Sequence, residues 1–361
     1  MQLITIVGAR PQFIKIATVS RQLRLISGVR EILVHTGQHF DENMSQVFFD
    51  ELEIPKPDFN LGIGGGSHGQ NTGRMIEAIE KVLLEEKADY VLVFGDTDST
   101  LAGTMAAVKL HIPVVHIEAG LRSFNRRMPE EINRVLTDHA ASLLFAPTQT
   151  AVDNLRKEGI SGSKVQNVGD VMYDAALFYA SKAQEKSRIL EKLELKPKQF
   201  ILSTVHRAEN TDDPEKLNCI MESLNLIGRN MEVVVPLHPR TRKQLAHINF
   251  TPQPGLRFIA PVGYLDMVML EKNAAVIATD SGGVQKEAFF HQVPCVTLRS
   301  ETEWVELVEL GWNRLADPNS TDAIVTAIQE AGSSAPLPGL KPYGAGNSAE
   351  LILKRLISVA S

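Results

Sequence analysis

Short apolar runs alternate with amphipathic stretches along almost the whole chain. Runs at Leu3–Val7, Glu31–His35, Tyr90–Phe94, Pro113–Ile117 and Leu143–Ala146 are followed by a second set at Phe200–Thr204, Glu232–Pro236, Leu256–Ile259, Ala275–Ala278 and Cys295–Leu298. They are rich in Val, Ile and Leu without strict alternation, as expected of strands buried on both faces of a parallel sheet. Between them the period changes. Thr72–Leu84 carries Met75, Ile76, Ile79, Val82 and Leu83 on one helical stripe, and Asp213–Leu226 does the same with Leu217, Ile220, Met221 and Leu224. Such alternation predicts βαβ units and an α/β, doubly wound architecture.

The stretch Tyr179–Lys198 is charged and weakly periodic, and reads as a seam. It predicts a Rossmann-like domain over residues 1–178 and a second over 179–345. Ser348–Val359 reads as a helix after the Pro/Gly-rich turn APLPGLKPYGAG, and residues 346–361 are expected to pack back on the first domain.

Bulk properties narrow the picture. A chain of 361 residues exceeds one ordinary core and suits two domains. Its net charge of −6 argues against a nucleic-acid-binding surface over the whole chain, yet leaves room for a local basic pocket. Cys219 and Cys295 both lie in apolar segments, which fits a reducing cytoplasm better than a disulfide or zinc site. The start, MQLITIVGARPQ, lacks the basic region and cleavage site of a signal peptide. No apolar stretch is long enough to span a bilayer, so no membrane partner is expected.

The unusual polar clusters fall at predicted carboxyl ends of strands, where open α/β sheets bind ligands. DSGGVQKEAFF (280–290) follows a strand and opens a helix, so Ser281, Gly282 and Gly283 offer backbone N–H groups to a phosphate; Glu287 further along suits a ribose. A plain cap with closely packed glycines is the bland alternative. In GARPQFIK (8–15), Pro11 suits a helix start, and Arg10 and Lys15 bracket the turn as anion partners. His206 in TVHRAEN ends another strand and suits a phosphate contact or proton carrier, with His238 and Arg240 extending a basic rim. In HIEAGLRSFNRRMPEEINR (116–134), helix-start acids account for Glu130 and Glu131, but not for Glu118 at a strand end beside Asp96. Close carboxylates in a partly dry site take divergent pKa values, which suits acid–base work. GDTDST (95–100) admits a divalent metal, a catalytic acid or a helix cap; we assign Asp98 to the cap and Asp96 to the site. GIGGGS (62–67) follows no convincing strand and is no dinucleotide fingerprint.

Taken together, GARPQFIK, HTGQH, GDTDST, HIEAGLRS, MPEEINRVLTDH, TVHRAEN, HPRTR and TDSGGVQKEA, in this order, resemble the non-hydrolysing UDP-N-acetylglucosamine 2-epimerase family. The resemblance implies two Rossmann-like domains of glycosyltransferase-B type, usually as a homodimer, with the site in the interdomain cleft. It implies inversion at C2 of a UDP-activated 2-acetamido sugar by elimination and re-addition of UDP, with no metal or nicotinamide cofactor. Asp96, Glu118 and Glu131 would be the acid–base set, joined by His206 at the leaving group. Arg10, His206, Ser281, Gly282, Gly283 and Glu287 would bind UDP, and Lys15 and Arg134 would orient the carboxylates. Ala9 and Gln12 stand where the family usually has Thr and Glu. The run Gln38-His39-Phe40 and the loop at 64–69 depart from the allosteric pattern of regulated bacterial members, so that regulation is not expected. These departures look more like the branch acting on UDP-2,3-diacetamido-2,3-dideoxy-glucuronic acid. Arg126, Arg127, Arg74 or a histidine of the glycine-rich loop would then meet the 6-carboxylate. A glycosyltransferase of the same fold and a non-catalytic UDP-sugar sensor are the alternatives.

Overall fold

The structure is a computed structural model that describes residues 1–38, 53–54, 56–333 and 341–360, with the backbone alone at Arg10, Ser333 and Ala360. The side chain of Arg10, together with His39 and Phe40, lies outside what is described. Two compact units are present: Met1–Ala175 with Lys341–Ser361, and Ala176–Leu340.

The first unit holds strands β1 (Gln2–Val7), β2 (Arg30–His35), β3 (Phe59–Asn60), β4 (Tyr90–Phe94), β5 (Val114–Ile117), β6 (Leu143–Ala146) and β7 (Val165–Asn167). They pair in parallel in the order β3-β2-β1-β4-β5-β6-β7. The second unit repeats the plan with β8 (Phe200–Thr204), β9 (Glu232–Pro236), β10 (Leu256–Ile259), β11 (Val276–Thr279), β12 (Cys295–Thr297) and β13 (Asn313–Leu315), ordered β10-β9-β8-β11-β12-β13. In both sheets the order reverses beside the first strand, at β1/β4 and at β8/β11. Helices leave opposite faces there, and the strand ends open a crevice.

Side-chain alternation accounts for the layers. In the second unit Ile201, Val233, Val235, Val276 and Ala278 join one buried cluster with Leu217, Ile220 and Leu224 of the helix Pro214–Gly228. Their neighbours Phe200, Leu202, Val234 and Ile277 join another with Ala288 of the helix Gly282–Phe290 and Leu270 of Tyr264–Asn273. Successive residues of each strand thus serve opposite cores, which is why these runs are apolar without alternation. In the first unit Ile4, Ile6, Val91 and Val93 likewise pack with Met75 and Ile79 of the helix His68–Glu86.

Three features differ from the sequence expectation. Strands β3, β7 and β13 are two or three residues long and only partly buried, so they carry no apolar run to betray them. One of them, β3, ends at Asn60, just ahead of the glycine run, which was expected to follow no strand. The helix starting GDTDST is capped by Thr97, whose hydroxyl accepts the Thr100 N–H at 3.3 Å, and not by Asp98. Asp98 is already inside the helix Asp98–Lys109, one residue too late for its oxygen to reach that donor.

The helix Ser348–Ala360 packs in the first unit against the helix Arg10–Leu23. Its free N-terminal donors are met by a remote side chain: Asp174 accepts the Ser348 and Ala349 N–H groups at 3.0 and 2.9 Å. Asp174 is buried, and burial pushes its carboxyl above the usual range, opposed by these backbone donors. Asp174→Ala is expected to cost about 1–2 kcal/mol in urea unfolding, as for loss of an N-cap. Amide exchange over 348–351 should accelerate more than elsewhere in the unit.

Candidate active site

At the β1/β4 switch point the chain turns into its first helix through Gly8 and Ala9. A Cβ on Gly8 would sit 2.0 Å from Thr36 Oγ1 and 2.2 Å from Ser99 Oγ, so only glycine lets these strand ends converge. Gln12 locks the turn. Its Oε1 accepts the Gly8 and Ala9 N–H groups at 2.8 and 3.0 Å, while its Nε2 donates to Phe94 O at 2.9 Å and Thr100 Oγ1 at 3.0 Å. One of these partners is a carbonyl, which a glutamate oxygen could not satisfy without a proton; the amide suits this chain's turn.

Lys15, on the same helix, is buried and pairs with Glu118. Glu118 leaves β5 at φ +73°, a left-handed conformation that costs a non-glycine residue about 1–3 kcal/mol. The Glu118 and Ala119 N–H groups both donate to Phe145 O at 3.0 Å and hold it there. A Cβ on Gly95 would lie 3.0 Å from Lys15 Nζ and 3.4 Å from Glu118 Oε2, so this ion pair is seated against the residue before Asp96.

Asp96, at the end of β4, pairs with Arg134 of the helix Pro129–Ala140. Burial pushes its carboxyl up, but Arg134, Lys15 and His116 together hold it below the usual carboxylate range. Arg134 also reaches Glu131 Oε2 at 2.9 Å. Glu131 has both oxygens committed: Oε2 accepts the Ser123 N–H and hydroxyl at 2.9 Å, and Oε1 accepts the Phe124 N–H at 3.0 Å. It thereby pins a loop in which Phe124 stands exposed at φ +59°.

Asp98 turns elsewhere, to Asn133 Nδ2 at 3.1 Å and His68 Nδ1 at 2.8 Å. Asn133 Nδ2 also reaches Asp96 O at 2.9 Å, so Asp98 supports the turn from behind. The two acids of Asp96-Thr97-Asp98 therefore face different partners. His68 opens the helix His68–Glu86 instead of lying in the glycine loop, and Arg74, Arg126 and Arg127 are exposed.

The second cluster belongs to the other unit. Asp280 is fully buried after β11 and accepts the His206 N–H at 3.1 Å, the Arg207 N–H at 3.0 Å and Asn210 Nδ2 at 3.2 Å. This ties the β8 and β11 ends together and leaves the half-exposed His206 ring 3.4 Å from Asp280. Ser281 caps the helix Gly282–Phe290, accepting the Val284 N–H at 3.5 Å. Around Gly283 the nearest foreign atom to a Cβ would be 3.9 Å away, which leaves its backbone approachable. Gly282 is the opposite case, with Glu303 Oε1 2.2 Å from its would-be Cβ. Glu303 is partly buried, which raises its carboxyl, but Arg299 and Arg207 hold it below the usual range. Glu287 is buried on the same helix. Two members of the expected basic rim have other work: His238 caps its helix by accepting the Arg240 N–H at 3.2 Å, and Arg240 is bound by Asp212 at 2.5 and 2.7 Å.

The family profile described as UDP-N-acetylglucosamine 2-epimerase matches residues 21–357. A UDP-N-acetylglucosamine 2-epimerase homolog of Methanococcus maripaludis is 52% identical over 361 residues, covering 99% of each chain. The UDP-2,3-diacetamido-2,3-dideoxy-D-glucuronate 2-epimerase of Pseudomonas aeruginosa is 51% identical over 359 residues, again covering 99% of each. The crystal structure of Methanocaldococcus jannaschii UDP-GlcNAc 2-epimerase in complex with UDP-GlcNAc and UDP superposes with a TM-score of 0.90 at 43% identity, over 99% of this chain and all of that one. This chain belongs to the UDP-N-acetylglucosamine 2-epimerase family.

Within this epimerase-family chain, the structure gathers Lys15, Asp96, Glu118, Glu131 and Arg134 at one switch point, and His206, Ser281, Gly282 and Gly283 at the other. Sequence reasoning passed over Asp280 and the buried His116, Asp138 and Arg122 beneath Gly95, with the partly exposed Glu158 that Arg122 meets. For His116, Asp138 and Asp280 the available signal was a polar group among apolar or small residues, since buried charges demand partners, whereas Arg122 and Glu158 sit among other charges and stand out in no way.

Arg134→Met leaves two carboxylates without their shared cation. It is expected to cost about 3 kcal/mol in urea unfolding at neutral pH, the low end for a broken buried pair, because Asp96 is 31% exposed. The depressed Asp96 carboxyl contributes stability above the ordinary Asp value of about 4 and loses it as pH falls through its folded value. The difference between wild type and variant should therefore shrink as pH is lowered below about 4.

Proposed function

We propose that this protein epimerises C2 of a UDP-2-acetamido sugar without hydrolysis. The observation that carries the reading is the ionised Asp96, set with the Lys15–Glu118 pair at the end of β4 and β5. The C2 proton of such a sugar is not next to a carbonyl, so direct carbanion formation is very costly. Elimination avoids it: a base removes the C2 proton while the C1–O bond to UDP breaks, leaving a 2-acetamidoglucal and UDP. A proton then returns to the other face of C2, and UDP adds back at C1.

Asp96, held ionised at neutral pH, is ready to accept a proton but not to give one. The opposite face therefore needs a second carrier, and Glu118 with Lys15 is the group proposed. Glu131, whose oxygens are occupied by Ser123, Phe124 and Arg134, is assigned the orienting of Arg134 and the Ser123–Phe124 loop. In the other unit the capped N-terminus of the helix Gly282–Phe290 suits the diphosphate, with His206 beside the leaving oxygen and Glu287 toward the ribose. Arg10 belongs to the same proposed UDP set.

Two relatives of nearly equal identity carry different substrates in their names, the N-acetylglucosamine and diacetamido-glucuronate nucleotides. The proposal takes the UDP-GlcNAc to UDP-ManNAc conversion as its main form and the uronate as its second. It extends to a cytoplasmic homodimer that supplies surface polysaccharide, such as lipopolysaccharide O-antigen. Among the described residues no helix is long and apolar enough to cross a membrane.

Incubation with each nucleotide sugar in deuterated water containing EDTA is expected to place deuterium at C2 and yield a manno epimer still attached to UDP. Transfer that needs an acceptor, free sugar as the product, or dependence on added metal would overturn the assignment. Asp96→Asn should lower turnover by about 100-fold or more while UDP still binds; unchanged turnover would remove Asp96 from the mechanism.

A further inference from the structure

Beneath the acid–base cluster runs a buried chain of alternating charge. His116, in β5, is fully buried two residues before Glu118. Its Nε2 lies 2.7 Å from Gly95 O, and its Nδ1 lies 2.7 Å from Asp138 Oδ1. Both neighbours are acceptors. With Asp138 ionised, a neutral imidazole, which has one N–H, fills only one of the two bonds, whereas an imidazolium fills both. Asp138 is equipped to sustain it. Its Oδ2 accepts the Gly120 N–H at 3.0 Å and Arg122 Nη1 at 2.7 Å, and Arg122 grips Glu158 with two bonds of 2.7 Å. Burial raises the Asp138 carboxyl, but His116 and Arg122 outweigh it and hold the group below the usual range.

The carbonyl that His116 grips belongs to the peptide joining Gly95 to Asp96. The Gly95 N–H donates to Ile117 O at 3.0 Å, so the turn is held from both sides. Gly95 stands at φ +64°, a conformation open to glycine and easily lost to other rotations. The bond from His116 removes that freedom at the residue carrying Asp96.

We propose that His116 is a positioning residue for epimerisation: as an imidazolium kept charged by Asp138, it fixes the Gly95–Asp96 peptide and adds a positive charge behind the Asp96 carboxylate. The inference rests on the function proposed above. The charged groups on the elements around Asp96 are Arg134 and Glu131 from the helix Pro129–Ala140, Lys15 from Arg10–Leu23, Asp98 from Asp98–Lys109, and Glu118 and His116 from β5 and its end.

Asp138→Asn separates charge from geometry. The Asn oxygen still accepts from Gly120 and Arg122, while its amide donates to His116 Nδ1 and leaves a neutral ring whose Nε2–H still holds Gly95 O. In the C2 deuterium-exchange assay the variant should keep UDP affinity and KM, and lose kcat on the acid side of the profile, where the less stabilised Asp96 becomes protonated. The acid limb of its kcat–pH profile should move to higher pH, because Asp96 loses a stabilising positive charge. Nitrogen-15 NMR of the histidine rings gives a readout independent of activity. In wild type one ring, assigned by its loss in His116→Asn or on Asp138→Asn titration, should keep both protons at neutral pH. A wild type in which no histidine ring keeps both protons at neutral pH overturns the proposal even if no variant folds. A folded Asp138→Asn with unchanged kcat and pH profile overturns it as well. If wild type itself exchanges no C2 proton, the functional reading fails instead, and the ring protonation still decides whether His116 carries its charge.

Discussion

Carboxylates placed at the ends of buried strands need a counter-charge or a set of donors, and much of the first unit is arranged to supply the counter-charge. Lys15 answers Glu118; Arg134 answers both Asp96 and Glu131; His116 and Arg122 answer Asp138; Arg122 also answers Glu158. The cations come from the first helix, from the helix Pro129–Ala140, from β5 and from the turn after it. Apart from Glu131, which meets Arg134 within one helix, the acids are held by other elements, and each such pair fixes the orientation of the element that supplies it. Polar groups that would destabilise the core if left alone become its fasteners.

The two sheets share one strand order and use their switch points for different chemistry. In the first unit the reversal brings opposed charges together, and a glycine turn at Gly8 allows the strand ends to converge. In the second, a single buried acid, Asp280, collects backbone donors from the neighbouring strand end and so presents His206 and a capped helix N-terminus. One fold thus carries ion-paired carboxylates at one switch point and a capped helix N-terminus at the other, through the identity of a few side chains at equivalent places.

The long strands were legible because burial on both faces leaves an unbroken apolar signature. The short edge strands β3, β7 and β13 leave none. The helix Ser348–Ala360 was legible as a helix from its own periodicity, but the side chain that meets its first N–H groups, Asp174, lies far upstream. At GDTDST the residue types were right and the register was off by one: Thr97, not Asp98, stands where a side-chain oxygen reaches the Thr100 N–H. The supporting acids Asp138 and Asp280 look, in one dimension, like ordinary helix and turn residues.

By itself the sequence determined the class of fold, the alternation of strand and helix, and the kinds of groups set at strand ends, because apolar period and residue chemistry are local properties. Only the tertiary structure decided which acid meets which cation, that Glu131 is saturated by a loop while Asp96 remains partly exposed, and that a buried histidine bears on Asp96 through the Gly95 carbonyl. Those outcomes depend on strand order and register, which bring residues 21 to 103 positions apart within a hydrogen bond of each other. A linear pattern carries no record of that proximity.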